Sequence, residues 1–156
     1  MKKDAETTLS ETVILAMRVT PRGLLNSAVM KGAARSLGGL AGAALEHATT
    51  SKNAPSGSGP NGYNKAMFLV VTPTRVAFFS IEVGATARLG SLIAEFPRSE
   101  VKACSTARGT MQVPFFMTRP IDIETTNHGN LSLETLTPVF LRGSVLKLEQ
   151  ALQNSK

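Results

Sequence analysis

Two histidines, one cysteine and a few carboxylates are the residues with which this chain could do covalent or acid–base chemistry. Such chemistry needs a nucleophile, a base and an orienting partner that converge. His47 falls in a Gly/Ala-rich stretch, and His128 falls at the tip of a predicted hairpin, where a solvent-facing turn role is expected. Cys104 lies on a predicted strand and reads as a small core hydrophobe rather than a reactive thiol. Asp122 and Glu124 stand two apart on one strand face, with Glu134 on the neighbouring strand. That trio could bind a cation, but its plainer reading is the wet face of a half-buried hairpin. No P-loop, GxGxxG or HExxH motif occurs. The expectation is a non-enzyme with no catalytic residue, no cofactor and no metal site.

Binding chemistry has more to work with. The 156-residue chain carries a formal net charge of +6. Arg18, Arg22, Lys31, Arg35, Lys52 and Lys65 face only Glu46 within that span. These six are the candidate anionic surface; the plainer reading is a solvated basic loop. Nucleic acid is not an expected partner, because the chain has no Trp and one Tyr, Tyr63, for base stacking. The run Met111 to Met117 is apolar and broken by Pro114, so it reads as an edge or a bulge. Met111, Val113, Phe115 and Phe116 are therefore candidate partner-binding residues, with closure of the protein's own core as the alternative.

The elements that must position these residues are mostly strands. In MFLVVTPTRVAFF, Met67 to Phe79, two runs of Val, Phe and Leu flank Thr72-Pro73-Thr74. Those side chains suit a pleated, buried surface, and Pro73 presets φ for a tight turn. This hairpin is the expected heart of the fold. Glu11 to Thr20 alternates, with Val13, Leu15, Met17 and Val19 on one face, and reads as a strand. A Thr8-x-x-Glu11 capping box offers a competing helix start. After the hairpin, strands are predicted at residues 91–96, 100–106, 120–126 and 130–136, the last two joined through Asn127-His128-Gly129. Leu141, Val145, Leu148 and Leu152 then fall on one helical face.

Residues 1–10 read as a disordered start, and 11–153 as one domain with 21–64 as a helical or flexible insertion. Within it, Leu24 to Ala48 is a glycine-weakened helix. Three arrangements stay open for it: packed on its own barrel, paired with a second copy, or loosely ordered. Thr49 to Asn64 has linker composition and is expected to be mobile. The uncharged core of the insertion, Ser36 to Leu45, is too short to span a bilayer, which takes about 20 residues. A single cysteine and a start without an apolar signal-peptide core point to the cytoplasm.

ETVILAMRVTPRG, FLVVTPTRVAFF, AEFPRSEV and IDIETTNHGNLSLET together carry a likeness. Through its first strand, its Thr-x-x-Arg turn, its apolar-Pro corner at Phe96-Pro97 and its late hairpin, the chain resembles bacterial pleckstrin-homology-like (PH/GRAM-like) domains. The resemblance covers residues 11–20 and 65–153. It implies a mainly β (α+β) fold: a bent antiparallel barrel of about seven strands, a C-terminal capping helix, and the Ala/Gly-rich insertion between strands 1 and 2. Lipid-binding eukaryotic relatives cluster basic residues around that loop. Here they are spread out, so specific phosphoinositide binding is not expected. The expected function is a non-catalytic interaction module for a protein partner or a second copy. The alternative is a peripheral protein that meets anionic lipid, on the inner face of the membrane, through residues 18–65.

Overall fold

The computed structural model describes residues 2–24, 59–82, 87–107, 109–113, 116–138 and 143–153. The predicted helix in Leu24 to Ala48, and with it Lys31, Arg35, His47 and Lys52, lies outside them apart from Leu24. The chain begins with helix α1, Lys2–Leu9, then β1, Leu15–Pro21. Strands β2, Met67–Val71, and β3, Arg75–Glu82, form the central hairpin, and β4 runs Arg88–Pro97. Then come β5, Val101–Thr106, β6, Thr110–Val113, β7, Phe116–Thr125, and β8, Asn130–Pro138. Helix α2, Gly143–Gln153, closes the order.

The fold is mainly β. Among the described residues eight antiparallel strands form one sheet in the order β4-β3-β2-β1-β8-β7-β5, with β6 also on β7. β1 joins the halves: Leu15 to Val19 pair with β2, and Thr20 and Pro21 pair with β8. The sheet curls enough for both halves to feed one core. Met17, Leu69, Val76, Phe78 and Phe96 meet Cys104, Ile121, Ile123 and Leu133 there, and Val145, Leu148 and Leu152 of α2 close it. The three–four spacing of these α2 residues places all three on the buried stripe.

Every residue of β2 is buried, which strict alternation would not give. The reason is a second apolar layer on the opposite face. Phe68, Val70, Ala77 and Phe79 pack with Ala5, Leu9 and Val13. A strand covered on both sides reads as a continuous apolar run, and MFLVV is one. Residues 2–9 are therefore helical rather than a disordered start. Ala5 and Leu9, four apart, give an otherwise polar helix one apolar contact line.

The Thr-x-x-Arg turn turns out to be a clasp. The Thr72 amide donates to the Arg75 carbonyl at 3.0 Å, and the Arg75 amide to the Thr72 hydroxyl oxygen at 3.0 Å. Glu11 accepts from the Thr74 hydroxyl at 2.7 Å and from Arg75 Nε at 2.8 Å. Arg75 also reaches Glu95 on β4 at 3.3 Å. Hydrogen bonds from the Thr72 and Thr74 hydroxyls, then Arg75, hold the Glu11 carboxyl below its ordinary 4.5. A depressed carboxyl contributes stability above its unfolded pKa and loses it as pH falls through the folded one. Acid titration of unfolding is thus expected to show a loss beginning near pH 4.5 that is smaller in Glu11→Gln; equal acid sensitivity would contradict the clasp.

The run Met111 to Met117, read as an edge or a bulge, divides between two strands: Val113 pairs with Phe116, so the chain reverses between β6 and β7, and among the described residues β6 pairs with β7 alone. Residues 59–64 of the expected mobile linker pack on the sheet. Pro60 is buried in a single-turn 3-10 helix, Pro60–Gly62, and Asn61 Nδ2 donates to the Ile93 carbonyl of β4 at 3.1 Å.

Candidate interaction groove

β5 and α2 build a concave surface. Pairing runs Cys104↔Ile123, Ser105↔Asp122 and Thr106↔Ile121, and the Ala107 amide donates to the Pro120 carbonyl at 3.3 Å. That bond fixes the alternation. Ala107 and Ser105 face β7 with their backbone groups, whereas Cys104 and Thr106 turn theirs outward. The same register explains Pro120 inside a strand. Its missing amide falls opposite Ala107, just past the last residue of β5, so the ladder loses a bond only at its end.

Among the described residues no strand pairs with the outer side of β5. Instead α2 lies beside it. Gln153 Nε2 donates to the Cys104 carbonyl at 3.5 Å, a long bond, and the Thr106 hydroxyl donates to Glu149 at 3.1 Å. Glu149 and Gln153, one helical turn apart, straddle the strand edge. Between the elements runs a groove of about 660 Å³, lined by Val101, Lys102, Ala103 and Cys104 of β5 and by Leu152 and Gln153 of α2. Lys102 and Ala103 are exposed. The strand is irregular between Val101 and Ala103, a bulge that shortens the regular edge.

Arg98 fixes the helix over this edge. Its amide donates to the Thr74 carbonyl at 2.8 Å, and its guanidinium donates to the carbonyls of Pro73 and of Ala151 near the end of α2. A cation beside the last carbonyls of a helix is favoured by both hydrogen bonding and the helix dipole. At the same end of β5, Thr126 donates its amide to the Glu100 carbonyl at 2.9 Å. Gly129, at φ 70°, permits the turn that carries His128. The His128 ring stacks on Phe96 with centroids 5.0 Å apart, and its Nε2 is 3.6 Å from a Glu100 carboxylate oxygen. The tip histidine thus joins the late hairpin to the β4–β5 corner, a pairing invisible in the linear order.

Cys104 offers no nucleophile. Burial first, then Glu149 and Asp122, push its thiol up to about 12. At pH 8 the native thiol is expected to resist a maleimide that labels the urea-unfolded chain fully; fast native labelling would show that β5 opens.

The remaining candidates disperse. Asp122 is occupied by Arg22 at 2.6 Å and by the Ser132 hydroxyl at 3.1 Å, Glu124 is exposed, and Glu134 is buried. Among the described residues no three ligating side chains converge on a metal position. Arg18 is half-buried with its guanidinium 5.6 Å from the Phe68 ring centroid, and Lys65 is exposed. The other three basic candidates are outside the described residues. Met111 and Val113 place their backbones on β6, and half-buried Phe116 begins β7; Phe115 is not described. β6 pairs at Phe116 to Thr118, nearer the start of β7 than β5 does, so this hairpin end is distinct from the groove. Among the described residues no helix is long and apolar enough to cross a membrane. No family model matches the chain, and none of the curated proteins compared with it does either.

Proposed function

We propose that this chain is a non-catalytic, PH-like binding module that takes an extended protein segment as an added strand on β5. The carrying observation is a strand edge with which no described strand pairs, its backbone groups at Cys104 and Thr106 facing outward, running along a groove whose far wall is a helix. Main-chain bonds to such an edge supply affinity, and pockets for alternate side chains supply selectivity. The bound segment displaces the long Gln153 bond, sets an apolar side chain against Leu152, and brings a carboxylate to exposed Lys102. The chain's positive balance favours the same acidic partner. Strand order and a helix following the last strand support the PH-like reading.

The test is selection of peptides from a random displayed library on the full chain, followed by amide shift mapping. Shifts concentrated on Lys102 to Thr106 and on α2 are expected. Lys102→Glu is expected to weaken acidic binders about fivefold, the scale of an exposed ion pair worth about 1 kcal/mol, without changing the unfolding midpoint. Binders that shift only β4 or the β6–β7 hairpin, or no binders at all, would overturn the assignment.

A further inference from the structure

We propose that α1 is an exchangeable element, and that two copies of this chain associate by swapping it across a strained hinge at Ser10. This surface is separate from the groove and does not depend on its assignment.

Three observations meet at the hinge. Ser10 has φ 54°, the left-handed region that an L-residue other than glycine or asparagine occupies at a cost. Immediately after it the chain is pinned, because Glu11 is held by Thr74 and Arg75. Immediately before it lies a polar eight-residue helix attached through two buried side chains, Ala5 and Leu9. Rigid on one side, weakly docked on the other and strained between, this one-residue connection is the kind that invites domain swapping. Straightening at Ser10 relieves the left-handed backbone.

The vacated seat also defines its occupant. Phe68, Val70, Ala77 and Phe79 are each at most 3% exposed, an apolar face that an open monomer would present to water. What fits it is a helix with a small residue and a leucine four apart, and α1 of a second copy has that pattern. The Glu6 carboxylate, which accepts from the Val13 amide at 3.0 Å across the hinge, re-forms its bond in trans. Each seat is refilled by the same residues, so the exchanged dimer keeps every contact of the closed monomer except the strain.

The experiment uses the full chain in a Cys104→Ala background. One isotope-labelled copy is mixed in urea with an unlabelled copy bearing a nitroxide at Lys3→Cys, and the two are refolded together. The expected result is relaxation broadening of the Phe68 and Phe79 amides in the copy without the nitroxide, growing with protein concentration. Ser10→Gly, which removes the strain from the closed form, is expected to lower the dimer association constant about fivefold per hinge, and Ser10→Val to raise it. Broadening seen only when nitroxide and isotope share one chain, at all concentrations, would overturn the exchange. Trans broadening indifferent to both Ser10 variants would overturn the hinge.

Discussion

Phe78→Ala is expected to lower the unfolding free energy by about 3–5 kcal/mol, the scale of a large-to-small change in a closed core. Phe78 is fully buried at the centre of β3, and its ring lies 6.0 Å from that of Phe96, centroid to centroid. The core cluster it belongs to draws on both halves of the sheet and on α2, so no single element can relax into the space left behind. A domain of this size has about 5–15 kcal/mol in total, and each kcal/mol moves the midpoint by about 2–4 °C. Circular dichroism melts should therefore fall by roughly 6–20 °C. Ala77, the next residue, faces the α1 layer instead. Ala77→Gly removes one methyl and is expected to act less. A Phe78→Ala loss below about 1 kcal/mol, outside that range, would mean that the two halves do not share a core.

Leu148→Ala is expected to cost about 2–5 kcal/mol and to abolish segment binding along β5. Leu148 is fully buried on the α2 stripe between Val145 and Leu152. It holds the helix against the sheet, so its loss loosens the wall that carries Leu152, Glu149 and Gln153. Leu146, on the same helix but 54% exposed, is the control. Leu146→Ala should change stability by no more than about 0.5 kcal/mol and leave binding intact. Urea denaturation reads the first effect and peptide titration the second. A folded Leu148→Ala protein that binds normally would show that the helix is not a wall of the site.

Much of the fold was legible in the chain. The Met67 to Phe79 hairpin announces itself through two apolar runs around a turn, the late Ile121/Ile123 and Leu131/Leu133 pair through period two, and the Val145–Leu148–Leu152 stripe through helical three–four spacing. These patterns are local, because each residue's face follows from its place along one element. The candidate site was less legible. Val113 to Phe116 drew notice for its apolar character, but its pairing is a reversal between two strands. The β5 alternation and the helix stripe were both visible, yet nothing in linear order set them side by side. α1 was missed because two apolar residues among eight give too weak a pattern to count.

What the sequence determined by itself was the β-rich class, the clasp-forming turn at Thr72-Pro73-Thr74-Arg75, and which face of each late strand enters the core. What only the tertiary structure decided was the pairing of distant elements: Glu11 with Arg75, Phe96 with His128, Cys104 with Gln153, α1 with the outer face of β2 and β3. The physical reason is range. Side-chain period and turn chemistry are set by neighbours a few residues away, whereas edges, grooves and second cores exist only after the sheet has curled and chosen which strands stay unpaired.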